Sequence, residues 1–250
     1  MSAPPSAPRP RSVSVACLVP ALAAGWRMFL ACRGPAMAFA GLFALGGVGL
    51  AWGLQWVGLA PLVLPVAGGF LLVGPALLAG FLGLAAARRA GRAPSLGDLA
   101  RGMAGAPRGA WVLALFCVFL FLIWMTDAAT LYSFMIGRRV AGLAAIFPVG
   151  AEGWRFHLGA ALMGGVLALI VFVATVHGVP LQLARRATLA GAVTVSVHAC
   201  LRNPLTHALW GAILALGVGV GFLLPPLLVV ILPVLAFSGE ALHRAVFETS

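Results

Sequence analysis

The chain has 250 residues, of which 62% are hydrophobic and only 8% are charged, and its mean hydropathy is +1.10. A soluble domain carries about 25% charged residues because its surface faces water, so this composition predicts a protein that lies mostly in lipid. The net charge of +11 comes from arginine alone, since the chain has no lysine. The arginines flank apolar runs, which is typical of loops at a membrane and not of a nucleic-acid-binding face.

The N-terminal residues 1–12 are rich in Pro, Ala and Ser, and we predict a disordered tail followed by one domain over residues 13–250. The apolar stretch 13–24 follows two arginines and ends in small residues, as a signal peptide does. Pro20 interrupts this stretch, and amphipathic sequence continues beyond it. We therefore favour a helix lying on the membrane surface, with cleavage as the alternative.

Long intervals without charge predict the membrane spans, because a spanning helix needs roughly 20 apolar residues and a charge at its centre costs a few kcal/mol. Gly58 with Pro61, and later Pro225-Pro226, divide two of these intervals into helical hairpins. We predict an all-α polytopic bundle of six transmembrane helices in three hairpins, at residues 36–56, 60–84, 110–134, 156–179, 205–224 and 226–243.

The placement of arginine predicts the orientation, because basic loops stay on the cytoplasmic side during insertion. With the N-terminus inside, the outer segments hold only Arg138, Arg139 and Arg155, and all other arginines are inside. We therefore expect an inner-membrane protein with both termini in the cytoplasm. Six inner arginines form a face that we expect to contact anionic lipid headgroups or other membrane proteins: Arg88, Arg89, Arg92, Arg185, Arg186 and Arg202.

The chain also looks like three related units, in each of which a short surface helix and a proline precede a helical hairpin. The alternative is that arginine and proline stand at these boundaries as they do in any polytopic protein. In the second unit, Ser95 and Asp98 have the spacing of a capping box, which predicts a helix that ends before Pro107. The corresponding surface helices of the first and third units are predicted at Gly25–Cys32 and Thr188–Cys200.

Four motifs carry a family resemblance: Gly25-Trp26-Arg27, Gly68–Pro75, Pro94–Asp98 and Arg202-Asn203-Pro204. With them the chain resembles, from about Pro20 to its C-terminus, the bacterial integral membrane family called domain of unknown function 2189. The glycine-rich stretch is the most specific of the four. The resemblance implies a six-helix inner-membrane protein of unestablished function, and it brings no catalytic residues.

Asp127 is the only acidic residue inside an apolar run. A carboxylate within a membrane is by default a functional candidate, such as a proton or cation site. The structural alternative is that Thr126 and Thr130 bond it locally, or that an arginine of the outer segments pairs with it.

His177 and His207 are predicted near the inner ends of two spans, where they could meet and hold a haem or a metal ion. The alternative is that each is a boundary histidine bonded to a backbone carbonyl or a lipid headgroup. The four cysteines are far apart and predict neither a disulfide framework nor a zinc site.

Glycines recur at small-residue spacing in the first, second and fourth spans, which predicts close helix packing. Prolines in the first hairpin offer another interpretation, a broken helix around a transport site. No nucleophile elbow, zincin motif or phosphate-binding loop is present, so we expect neither an enzyme nor a cofactor. Our first hypothesis is a non-enzymatic scaffold or accessory membrane subunit. The alternatives are a transporter of a small solute or lipid, and a haem-binding redox protein.

Overall fold

The computed structural model describes residues 8–148 and 150–247, which form helices joined by short connections. In chain order these helices are α1 (Leu18–Trp56), α2 (Val63–Arg89), α3 (Leu96–Ala104), α4 (Arg108–Met135), α5 (Gly150–Thr175), α6 (Gly178–Leu183), α7 (Leu189–Arg202), α8 (Pro204–Leu223) and α9 (Pro225–Phe247). Single 3-10 turns occur at Val15–Cys17, Ala60–Leu62 and Leu143–Ile146.

Five segments are long and apolar enough to cross a membrane: α1, α4, α5 with α6, α8 and α9. Helix α2 is bent by 50° between Pro75 and Leu77, and it makes a sixth span if its two arms count as one. Proline explains the bend, because it removes a backbone hydrogen bond and clashes with the preceding turn. The predicted polytopic helical bundle is thus confirmed.

The prediction for helix α1 is wrong, because the structure has neither a separate surface helix at Gly25–Cys32 nor a turn at Pro35. One helix of 39 residues runs through Pro35. Its first two thirds pack along α9, so closely that a Cβ on Gly25 would lie 2.7 Å from the backbone nitrogen of Ser238. Phe29 of α1 lies in one core cluster with Leu232 of α9. Burial against α9 therefore keeps α1 helical across Pro35.

The short helices α3 and α7 confirm the surface helices predicted for the second and third units, although α7 ends two residues later than predicted. Ser95 and Asp98 form the expected capping box at the start of α3. Thr188 caps α7 by accepting a hydrogen bond from the backbone N–H of Gly191. Helix α5 ends at Thr175, earlier than predicted, and α6 follows it after a turn.

The ends of the hairpins define two ends of the bundle. At one end, the α1–α2 turn meets the α4–α5 connection through a β-bridge between Leu59 and Val140. Gly58 in this turn has φ +78°, which favours glycine, and a Cβ there would lie 2.9 Å from the Cβ of Arg139. The opposite end, where α2 and α9 end and α4 and α8 begin, is called the Arg-rich end below.

The chain before α1 lies at the Arg-rich end. Residues 8–12 have no regular secondary structure, but they are bonded to the rest of the protein. The backbone N–H of Arg11 donates to the carbonyl of Val246 at 2.9 Å, and the Asn203 side chain donates to the Arg11 carbonyl at 3.0 Å. Residues 1–7 of the predicted tail lie outside the described residues.

Close packing at glycine is confirmed at Gly69 and Gly80 of α2 and at Gly164 of α5, and it is wrong for Gly68, Gly74 and Gly165, where nothing lies within 4 Å of the Cβ position. A Cβ on Gly69 of α2 would lie 2.6 Å from the ring of Phe121, and a Cβ on Gly164 of α5 would overlap the ring of Trp124. The Trp124 indole in turn donates to the carbonyl of Pro65 at 2.8 Å. The prediction is wrong for Gly46, Gly47, Gly49 and Gly53 of α1, where nothing lies within 4 Å of the Cβ position.

We predict that Gly164→Val destabilises the protein, because its side chain must displace the buried Trp124 ring. Overpacking of this kind costs about 1–3 kcal/mol. Gly165→Val is the matched control, since the next position in the same helix has nothing within 4 Å. The measurement is unfolding in detergent by titration with a denaturing surfactant, and equal stability of the two variants would contradict the α4–α5 contact.

Candidate functional site: a buried histidine cluster

The buried polar side chains gather on the elements that form the Arg-rich end. They are Asp98, Thr175, His177, Gln182, Ser196, Asn203, Thr206, His207, Ser238 and His243. Each of them bonds to another group of this chain. This agrees with the requirement that polar groups inside a bilayer find their hydrogen-bond partners within the protein.

Three of these residues form a histidine cluster, which consists of His177, His207 and His243. His177 follows the end of α5 and is fully buried. Its Nε2 lies 2.8 Å from Nε2 of His207 in the first turn of α8, and its Nδ1 lies 3.2 Å from Nδ1 of His243 in the last turns of α9. The expected meeting of His177 and His207 therefore occurs, and a third imidazole joins it.

The backbone of Asn203 fixes the direction of the hydrogen bonds in the histidine cluster. Its carbonyl can only accept, so Nδ1 of His207, at 2.8 Å, carries the proton. In a chain of neutral rings, His177 then donates from Nε2 to His207, and His243 donates from Nδ1 to His177. The tautomers follow from this network. A proton added at His243 can be passed as far as His207, but the carbonyl cannot take it further.

Helix α7 and the segment before α1 hold the histidine cluster in place. The backbone N–H of His177 donates to Oγ of Ser196 at 3.2 Å, and that hydroxyl donates to the carbonyl of Val173 at 2.7 Å. The Asn203 amide accepts from the backbone N–H of Val13 at 2.8 Å. These contacts join the end of α5 and the start of α8 to two other segments, so the rings have little freedom to separate.

The geometry of the histidine cluster is that of hydrogen-bonded rings. An iron bound between His177 and His207 would hold their nitrogens about 4 Å apart, since each metal–nitrogen bond is about 2 Å long. The observed 2.8 Å means that both rings must move apart to admit a metal. Among residues 8–148 and 150–247, no group of three His, Cys, Asp or Glu side chains is arranged to hold a metal ion.

His243 is the member of the cluster that sequence analysis missed. It is 66 residues from His177 in the chain, and only the return of α9 along the bundle brings the two together. The sequence did contain a signal for His243, because it stands next to Arg244, and His177 and His207 also lie close to arginines of the Arg-rich end. A similar distance from these arginines could have placed all three histidines in one group.

Asp127 lies apart from the histidine cluster, on α4. It is half-buried, and no hydrogen bond or ion pair reaches it from the described part of the chain. The threonine partners that we expected are engaged elsewhere. Thr126 donates to the carbonyl of Leu122 at 2.9 Å, and Thr130 donates to the carbonyl of Thr126 at 2.8 Å.

All six residues of the predicted arginine face are exposed, and several of them also bond within the chain. Arg89 forms an ion pair with Glu240 of α9 at 2.7 Å, and Arg92 forms one with Asp98 at 2.7 Å. Arg202 donates from Nε to the hydroxyl of Ser12. The other three predicted members, which are exposed as well, are Arg88, Arg185 and Arg186.

Asp98 is the most strongly bonded carboxylate that the structure describes. It accepts from the Ser95 hydroxyl and from Arg92 and Arg101, each at 2.7 Å, and so it ties α3 to the turn that follows α2. The hydrogen bond from the Ser95 side chain, followed by that from Arg92, holds the pKa of Asp98 well below its ordinary value.

We predict that part of the protein's stability depends on Asp98 and is lost at acid pH. The pKa of Asp98 is lower in the folded state than in the unfolded one, so its ionised form stabilises the fold above the ordinary pKa near 3.8, and this is lost as the pH falls below that value. Thermal unfolding in detergent between pH 7 and pH 3 measures the effect. Asp98→Asn should be less stable at pH 7 and show a smaller acid loss than wild type. The same pH dependence in both would contradict the assignment.

We predict that His177→Ala lowers the free energy of unfolding by about 3 kcal/mol, because it leaves one ring nitrogen of His207 and one of His243 without a partner and opens a cavity. His198→Ala is the control, since His198 lies exposed on α7. Unfolding in detergent at pH 7 compares the two variants with wild type. If His177→Ala were as stable as the control, the hydrogen-bonded cluster would not describe the folded protein.

Comparison with known proteins agrees with the fold and adds a family. A family model described as a predicted integral membrane protein, DUF2189, matches residues 63–184. That range contains the Gly68–Pro75 and Pro94–Asp98 motifs and is shorter than the resemblance we described. No curated protein and no solved structure matches the chain. The matched stretch, which runs from the start of α2 to just past the end of α6, is thus similar to the DUF2189 family of predicted integral membrane proteins.

Proposed function

We propose that this integral membrane protein is a non-enzymatic accessory or scaffold subunit, which binds another membrane protein through the far third of α1 (residues 45–56). We also propose that it lies in a bacterial inner membrane with the Arg-rich end in the cytoplasm, as the distribution of arginine favours. The chain before α1 and the end of α9 lie together, so both termini then face the cytoplasm.

The observation that carries the proposal is that most of the far third of α1 faces away from the rest of the bundle. This segment touches the bundle through Leu54, which packs against the cluster that contains Trp124, and through Gln55, which bonds to the backbone of Gly142. Helix α9 begins opposite Ala40 and Ala44, which share a cluster with Leu228, and so it does not reach residues 45–56. The side chains of Leu45, Trp52 and Trp56 are 73%, 72% and 82% exposed, so most of this far third is left to lipid.

Glycine gives this surface a shape that suits another helix. Gly46, Gly49 and Gly53 follow one another at helical spacing, and open space surrounds each of them. Gly49 and Gly53 form a G-x-x-x-G pair, which lets a second transmembrane helix approach closely enough for backbone contact. Aromatic side chains beside the glycines add contact area that a partner helix can bury.

The polar interior supports a structural role over a catalytic one. Each buried polar residue is bonded within the chain, and the histidine cluster ends on a carbonyl that cannot accept a proton permanently. A reacting substrate would have to break these bonds first. The groups at the Arg-rich end therefore serve well as connections between helices, which an accessory subunit needs in order to present a fixed surface.

Transport is the second candidate, because Asp127 is a half-buried carboxylate in a spanning helix without a bonded partner among the described residues. Such a group is costly in lipid unless it has a function. Substrate-dependent flux into proteoliposomes that Asp127→Asn abolishes would support this candidate against the scaffold.

We predict that a photo-crosslinking amino acid at position 52 captures one discrete membrane protein in native membranes. The Trp52 side chain is exposed beside the glycine surface. Gly49→Ile with Gly53→Ile should reduce the crosslinked product at least about tenfold, since bulky side chains keep the partner helix away. The product is identified by mass spectrometry after purification.

The control carries the crosslinker at position 162, because Leu162 of α5 is 72% exposed on a helix without this glycine surface. It should give no discrete product. Products of equal yield from both positions would contradict a specific surface. Crosslinking only to a second copy of this chain would contradict an accessory role.

A further inference from the structure

An apolar groove lies between α4, α5 and α7 near the Arg-rich end. Its volume is about 610 Å³, and its lining consists only of aliphatic and aromatic side chains. Helix α7 forms one wall with a row of residues at i, i+4 and i+8. The other walls come from the first turns of α4 and the last turns of α5, and representative lining residues are Val112, Phe116, Leu169, Val173, Val193 and Val197.

The groove has the size and chemistry of an acyl-chain site. Proteins bind single small ligands in cavities of about 300–1,000 Å³ that are lined mainly by apolar side chains. A polar solute would find no hydrogen-bond partner on these walls. Because the groove lies among spanning helices, the apolar molecule that reaches it is a membrane lipid.

Positive charge lies at the end of the groove nearest the Arg-rich end. Arg108 precedes Val112 by four residues, so it lies on the same face of α4, one turn beyond the lining. Its neighbour Gly109 packs directly against the side chain of Gln182. Gln182 donates to the carbonyl of Ala187 at 2.9 Å, which holds the loop that carries Arg185 next to the start of α4.

The two arginines at this end are available to an anion. Arg108 and Arg185 are exposed, and neither forms an ion pair with a carboxylate in the described chain. Arg108 also begins a 28-residue helix, whose first free N–H groups favour negative charge. We propose that the groove binds one acyl chain of an anionic glycerophospholipid, with the phosphate between Arg108 and Arg185.

This site goes beyond the proposed scaffold function, and it lies on different helices from the far third of α1. A phosphate and an acyl chain belong to one molecule only in a phospholipid, which satisfies both parts of the site. The site selects the lipid by charge at one end and by shape at the other. Each part can be tested with its own variant.

The experiment is native mass spectrometry of the full chain in detergent, with equal amounts of phosphatidylglycerol and phosphatidylcholine that have identical acyl chains. We expect wild type to retain one phosphatidylglycerol in preference to phosphatidylcholine. Arg108→Gln and Arg185→Gly should each lower this preference about fivefold, since a basic residue near an anionic headgroup contributes about that factor. Val193→Trp fills the groove and should abolish retention of both lipids.

Arg185→Gly keeps the test free of folding effects. Arg185 has φ +54°, a left-handed conformation that glycine adopts without strain, so this variant should be at least as stable as wild type. Arg138→Gln is the matched control, because it removes the same charge at the opposite end of the bundle and should leave the preference unchanged.

The possible contrary results are distinct. Equal retention of both lipids by wild type, or an unchanged preference in Arg185→Gly, overturns the charged end of the site. Retention of phosphatidylglycerol by Val193→Trp overturns the groove. If Arg138→Gln lowers the preference for phosphatidylglycerol as much as Arg108→Gln does, the preference follows the total charge of the protein, and this result overturns the site as a whole. Displacement of the lipid by excess glycerol 3-phosphate overturns the role of the acyl chain.

Discussion

The structure depends on one constraint, which is that a polar group inside a bilayer must find its hydrogen-bond partner within the protein. The chain meets it by gathering its buried polar side chains at the Arg-rich end and bonding them to each other. His177 bonds to two other imidazoles, and Asp98 bonds to two arginines and a serine. The rest of the bundle is held together by close packing of side chains, such as the contacts between glycines and aromatic rings.

Much of the fold could be predicted from the sequence, because the cost of charge in hydrocarbon is local and can be found by looking for uncharged intervals. The spans, the hairpin at Gly58 and the capping box at Ser95 all follow from neighbouring residues. The error at Pro35 has a different origin. Proline beside arginine indicates a boundary locally, but the contact with α9 that keeps the helix continuous comes from the far end of the chain.

The candidate site was predicted in part for the same reason. His177 and His207 lie at the ends of consecutive predicted spans and flank the same arginine cluster, so their meeting could be inferred. His243 required knowledge of where α9 returns. The glycines of α1 and α2 look alike in sequence, and only the fold decides that Gly69 is covered, by Phe121 and Trp124 of α4, while Gly49 is open. The spacing of glycines in the sequence shows that another helix could pack closely there, and only the fold shows whether a helix of the same chain does so.

The pairing of α1 with α9 has a consequence for biosynthesis. Helix α1 leaves the ribosome well before its partner α9, so at about 5–20 residues per second the face that carries Gly25 and Phe29 stays uncovered for on the order of ten seconds or more. During that time the nascent chain holds a proline-containing helix without the contact that stabilises it. We therefore expect lipid or an insertase to cover this face until α9 emerges, and a product truncated before α9 could not complete the bundle.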